Sequence, residues 1–131
     1  MRTVLIDTNA YTRLLTGSEE VLEAISSTDR VYMSIFVLGE LHAGFEGGKK
    51  ERQNRAALGR FLGKPTVKVL NATFETAEVF GFVKCNLKRA GTPLPINDVW
   101  IAAHALETGS VLISFDTHFR KVSGLRLWDK V

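Results

Sequence analysis

Short apolar runs alternate with helix-patterned segments along this 131-residue chain, and that alternation constrains the fold most. Val4-Leu5-Ile6, Val31-Tyr32-Met33, Val67 to Leu70 and Val111 to Phe115 are each strand-length, with longer segments of helical periodicity between them. Strands separated by helices pair in parallel, because a crossover helix returns the chain to the same end of the sheet. The predicted fold is therefore α/β, with a central, mostly parallel sheet. One domain of residues 1–131 suits the length, and no repeat, low-complexity stretch or linker divides it.

The boundaries follow from caps and breakers. Thr3 to Ile6 reads as the first strand, and a short helix around Tyr11 to Leu15 stops at Gly17. Ser18, with Glu19 and Glu20 behind it, starts a helix running to about Ser26. Ile35 to Phe45 is helical, with Leu38, Leu41 and Phe45 on one face, until Gly47-Gly48. The charged stretch 49–55 continues into a further helix that ends near Gly63. Thr73 to Ala90 is the longest helix and Ile96 to Thr108 the last, halted by Gly109. Leu125 to Trp128 is an edge strand.

Four carboxylates fall where such a fold gathers its ligands. Asp7 follows the first strand, and Asp116 follows Val111 to Phe115. Ligands of open α/β sheets bind beyond the carboxyl ends of the strands. Asp98 shares a helical stripe with Ile101, Ala102, Ala105 and Leu106, and Glu40 lies within the Ile35 helix. Each acid alone also fits a structural role. Asp7 and Asp116 suit turns or caps, Glu40 a solvated helix face, and Asp98 the first turn of its helix, with Asn97 as the cap. Gathered together, four carboxylates repel unless a cation or protons compensate. An oxygen donor set suits Mg2+ or Mn2+ better than zinc, and such ions perform phosphoryl chemistry. His42, His104 and His118 show no paired spacing, so surface or hydrogen-bonding roles are expected of them. His118 stands apart because it lies two residues after Asp116.

Composition limits the alternatives. The chain is 45% apolar and 24% charged, ordinary for a globular protein, and no apolar run nears the ~18 residues of a membrane span. The N-terminus enters strand-like sequence without a signal-peptide pattern, and a lone Cys85 fits a reducing, cytoplasmic setting. Net charge is +3. With four acids drawn into one pocket the remaining surface is more basic, which permits nucleic-acid contact. Lys49, Lys50, Arg52 and Arg55 form the basic stretch that could touch RNA, or simply a solvated helix face.

Leu5-Ile6-Asp7-Thr8-Asn9, Ser34 to Leu41, Pro95 to Ala103, Leu112 to Phe119 and Val122 to Leu127 together resemble the PIN domain, and within it the VapC-type toxins of toxin–antitoxin pairs. The resemblance implies a three-layer α/β/α sandwich and a metal-dependent endoribonuclease using Mg2+ or Mn2+. It implies Asp7 and Asp98 as principal metal ligands, with Glu40 and Asp116 completing the pocket. Ser114 and Asn9 would orient a carboxylate or water. It further implies a homodimer and a small antitoxin whose tail enters the active site. The 73–90 helix, carrying Phe74, Ala77, Phe80, Phe82 and Val83, is an expected contact element of that dimer. Two other classes fit parts of the pattern: an aspartyl-phosphate enzyme or receiver-like domain with Asp7 as acceptor, and a non-catalytic RNA- or protein-binding module.

Overall fold

The computed structural model describes residues 2–129. Five strands, β1 (Thr3–Ile6), β2 (Arg30–Ser34), β3 (Val67–Leu70), β4 (Val111–Ile113) and β5 (Arg126–Leu127), form one sheet in the order β3-β2-β1-β4-β5. Every neighbouring pair is parallel. The central strands read as unbroken apolar runs because both of their faces are covered, and Leu5, Ile6, Met33, Leu112 and Ile113 are inaccessible to solvent.

The helices are α1 (Thr8–Leu15), α2 (Glu19–Ser26), α3 (Ile35–Phe45), α4 (Glu51–Leu62), α5 (Phe74–Arg89) and α6 (Ile96–Thr108). The chain steps from β1 to β2 to β3 in one direction, then returns to β4 on the far side of β1. Right-handed crossovers consequently put helices on both faces of the sheet, giving the three-layer α/β/α sandwich. The reversal leaves a crevice between β1 and β4, at their carboxyl ends, and this is the topological switch point.

Local chemistry explains where the elements begin and end. Thr73 and Thr76 form a reciprocal capping box at the start of α5. Gly109, at φ 64°, ends α6 in the left-handed region where a Cβ is costly. Two boundaries differ from the sequence-based expectation by more than one residue. Helix α1 starts at Thr8, three residues earlier, because the Asp7 side chain caps it. Strand β4 stops at Ile113, because Ser114 Oγ accepts the Asp116 N–H at 3.0 Å and turns the backbone out of the ladder.

His104 joins three elements of the core. Its Nε2 lies 3.1 Å from the Asn71 carbonyl, which can only accept, so Nε2 carries the proton. Nδ1 is then the acceptor of the Ser34 hydroxyl at 2.8 Å, and Ser34 Oγ in turn accepts the Phe36 N–H as cap of α3. The helix carrying Asp98 is thereby tied to the start of the helix carrying Glu40. Burial pushes the His104 pKa below its ordinary value, consistent with this neutral imidazole.

Candidate active site

Asp7, Thr8, Asn9, Glu40, Asp98, Ile101 and Asp116 line one cavity of about 250 Å³ at the switch point. All four predicted acids therefore converge, although 109 positions separate the first from the last. A larger groove of about 520 Å³ lies between α1, α2 and α4, lined by Leu14, Leu22, Ile25 and Phe61 with Arg60 and Lys64. It contains no carboxylate, so the smaller, polar cavity is where metal or acid–base chemistry is possible.

Asp7 is 6% exposed and sits in the turn from β1 to α1. Its N–H donates to the Ile113 carbonyl at 3.2 Å, continuing the ladder to β4. Its Oδ1 accepts the Ala10 N–H at 2.9 Å. Capping and site roles thus coincide in one side chain. Burial raises the Asp7 pKa; hydrogen bonds from Ser114 and Ala10 oppose the shift, and the charges of Asp116 and Glu40 add to it. The Ser114 hydroxyl also receives the Asp116 N–H at 3.0 Å.

Asp98 stands third in α6, half-buried, with its N–H on the Pro95 carbonyl. Asn97 does not cap this helix: the capping position is Pro95, which offers no side-chain bond. Burial again raises the pKa, the neighbouring His118 lowers it, and Glu40, Asp116 and Asp7 raise it further. Desolvation, more than mutual repulsion, is the largest cause at both acids.

Glu40 is held by a residue that the sequence did not single out. Thr8 Oγ1 donates to Glu40 Oε1 at 2.6 Å. Asn9, the expected orienting residue, lines the cavity but its side chain makes no hydrogen bond among the described residues. The two positions are adjacent, and only the packing of α1 on α3 selects between them.

His118, set apart in the sequence by its place two residues after Asp116, also enters the site. Asp116 caps the 3-10 turn Thr117–Lys121 by accepting the His118 N–H, and this folds the imidazole back over the acids. Nε2 lies 3.0 Å from Asp98 Oδ2 and Nδ1 lies 2.9 Å from Asp116 Oδ1. Ligand atoms of Asp98, Asp116 and His118 all fall within 4.8 Å of one another, and Asp7 and Glu40 line the same cavity as the two aspartates. The carboxylates, with one imidazole beside them, are donors that fit a divalent cation.

The model of the PIN domain family matches residues 4–125. The chain belongs to the PIN domain family. Among curated relatives it is 29% identical over 130 residues to Ribonuclease VapC1 of Haemophilus influenzae, covering 95% of this chain and 96% of that one. It is 28% identical over 112 residues to Ribonuclease VapC2 of Rickettsia felis, covering 83% and 82%. Among solved structures, the DNA-bound VapBC of Salmonella typhimurium superposes with a TM-score of 0.87 at 27% identity, covering 98% of each chain.

The basic stretch lies apart from the cavity. Arg55 is paired with Glu46 at 2.9 Å and Glu51 at 3.3 Å, so its charge is already compensated. Lys49, Lys50 and Arg52 are exposed. Cys85 is exposed on α5, and His42 packs edge-on against Phe45.

Proposed function

We propose that this chain is a divalent-metal-dependent endoribonuclease acting as the toxin of a toxin–antitoxin pair. The observation that carries the reading is the convergence of Asp7, Glu40, Asp98 and Asp116 in one cavity at the switch point. Its PIN family membership and VapC ribonuclease relatives support RNA as the substrate class. Asp7, Asp98, Glu40 and Asp116 would hold Mg2+ or Mn2+. A bound ion supplies charge stabilisation at the scissile phosphate and a stronger water nucleophile. Ser114 orients Asp7, and Thr8 orients Glu40. Lys49, Lys50 and Arg52, exposed around the start of α4, would contribute charge for RNA.

The phosphoacceptor alternative fits poorly. Asp7 is almost fully buried with one oxygen engaged in capping α1, an unsuitable posture for in-line attack on a phosphoryl group. A pure binding module would have no use for buried, pKa-raised carboxylates.

Two partners accompany the reading. The relatives solved as VapBC complexes support a small antitoxin, and the apolar groove with Leu15 and Leu22 exposed beside it offers such a partner a seat away from the acids. A second copy of the chain suits the α5 side. Val83 is buried in the core and Phe80 stacks on Trp100, but Phe74 is 77% and Phe82 65% exposed. No helix among the described residues is long and apolar enough to cross a membrane, and cytoplasmic RNA is the substrate pool we assign.

The test is cleavage of total RNA by the purified chain with Mg2+ or Mn2+, against the Asp98→Asn variant. Cleavage by the wild type alone supports the proposal. Equal cleavage by both proteins would overturn it.

A further inference from the structure

His118 puts a nitrogen donor into a cavity otherwise lined by oxygen. Its Nε2 is buried and lies 3.0 Å from Asp98 Oδ2, yet it has no hydrogen-bond partner of acceptable direction among the described residues. Leaving a buried ring nitrogen unsatisfied beside a carboxylate is costly. The same arrangement is natural for two ligands of one cation, whose lone pairs converge on a third point and not on each other. With metal–ligand bonds of about 2.1 Å, adjacent corners of an octahedron are about 3.0 Å apart. The other ring nitrogen supports the assignment. Nδ1 faces Asp116 Oδ1 at 2.9 Å, and a proton held there leaves the Nε2 lone pair for a metal. Ligating histidines commonly keep a carboxylate on their second nitrogen in this way, and here Asp116 would orient the ring and leave the ion to Asp98, Asp7 and Glu40. The ring is also held in place, by its backbone N–H on Asp116 and by contact with Phe119 at 4.8 Å between ring centroids.

Resting on the metal-nuclease reading above, we infer that His118 is a metal ligand beside Asp98 and that it tilts the site from Mg2+ toward Mn2+. Magnesium is a hard ion that takes oxygen and gives up water reluctantly. Manganese accepts the same carboxylates and binds imidazole better, as first-row transition ions do. A nitrogen at this corner therefore gains affinity for Mn2+ while adding little for Mg2+.

The experiment uses Mn2+ alone as probe. Electron spin-echo modulation of Mn2+ bound to the wild-type chain is expected to show coupling to one directly bound imidazole nitrogen. His118→Gln, which retains bulk and polarity, is expected to lose that coupling. Competition titrations read from the Mn2+ resonance are expected to show the Mn2+:Mg2+ affinity ratio falling by about tenfold in that variant. The other histidines do not confuse the signal, since both nitrogens of His104 are engaged in the core and His42 lies against Phe45. Bound Mn2+ without nitrogen coupling in the wild type overturns the inference but leaves the nuclease reading standing. An unchanged affinity ratio in His118→Gln does the same. No Mn2+ binding at all overturns both. The wild-type spectrum decides the matter even if the variant does not fold.

Discussion

Thr8 donates a 2.6 Å hydrogen bond to Glu40, joining the first turn of α1 to the middle of α3 across 32 positions of sequence. The bond fixes which way a half-buried glutamate points. Without it, Glu40 has several rotamers open to it, and its carboxylate leaves the cavity for part of the time. Thr8→Val keeps the β-branched shape and removes only the donor. We expect kcat for RNA cleavage to fall by about tenfold, the scale seen when groups behind a metal ligand are removed. Thr8→Ser restores the hydroxyl and should recover most of the rate. Equal loss in Thr8→Ser and Thr8→Val would mean that packing, and not the bond, is what matters.

Chelation gives a second expectation. Activity should vanish after exhaustive treatment with chelator and return on addition of Mn2+ or Mg2+. The carboxylates cannot bring a phosphodiester close without a cation, because like charges repel in a partly desolvated cavity. Full turnover in the metal-free protein would rule out the mechanism.

Much of this architecture was legible in the chain itself. Helices α3 and α6 and strand β3 lie where periodicity and stop signals put them, because Ser34, Gly109 and the apolar runs act locally. Asp98 was conspicuous as a charge on an apolar stripe, and burial is indeed the main reason its carboxyl group is perturbed. The contacts of Thr8 and His118 were not legible. Both depend on which side chains the β1–β4 crevice brings together; Asp116, two residues before it, marks His118 in the sequence, but nothing there announces its approach to Asp98. The resemblance implied Asn9 as an orienting residue, and the adjacent Thr8 makes the bond to Glu40. His118 lacks the paired-histidine spacing of a familiar metal motif, and its neighbour Asp98 arrives from another element.

His104 predicts a pH dependence of stability. Its folded pKa is depressed by burial, so the folded state binds fewer protons than the unfolded one. The stability that follows from this is fully present above the unfolded pKa, about 6.5, and is lost as pH falls from there through the folded pKa. Urea unfolding between pH 8 and pH 5 should show the wild type losing this contribution. His104→Gln should be the less stable protein at pH 8, by about 1–3 kcal/mol for disturbed buried hydrogen bonds. The gap between the two should narrow toward pH 5. A constant gap would show that the imidazole does not titrate in this range.

The exposed face of α5 predicts self-association. Phe74 and Phe82 present large aromatic surface that a monomer leaves in water. Light scattering at micromolar concentration should report a dimer, and Phe82→Lys should shift it to a monomer without unfolding, since the side chain lies outside the core. A wild-type monomer at those concentrations would remove the interface.

The acid cluster itself makes the most demanding prediction. Asp7 and Asp98 both have folded pKa values raised above their unfolded ones, chiefly by burial. The folded state therefore holds more protons, and stability falls as pH climbs from the unfolded pKa through the folded one. Above that window, with chelator present, the penalty of the buried charge is complete. Asp98→Asn removes one such charge and keeps the side-chain shape. At pH 8 without metal, this variant should melt at a higher temperature than the wild type, by the equivalent of about 1 kcal/mol. The His118 contact opposes this, since it favours the ionised Asp98, so the sign of the result reports which effect prevails. Saturating Mg2+ should reverse the order. An ion that binds only the folded cage adds about 2.7 kcal/mol at a hundredfold over its dissociation constant, and the variant, short of one anionic ligand, gains little. Four melts decide it: both proteins, each with chelator and with Mg2+. A wild type that is the more stable of the two in chelator would mean that the carboxylates are already compensated within the protein, and that the cavity does not need a metal to hold its charges together.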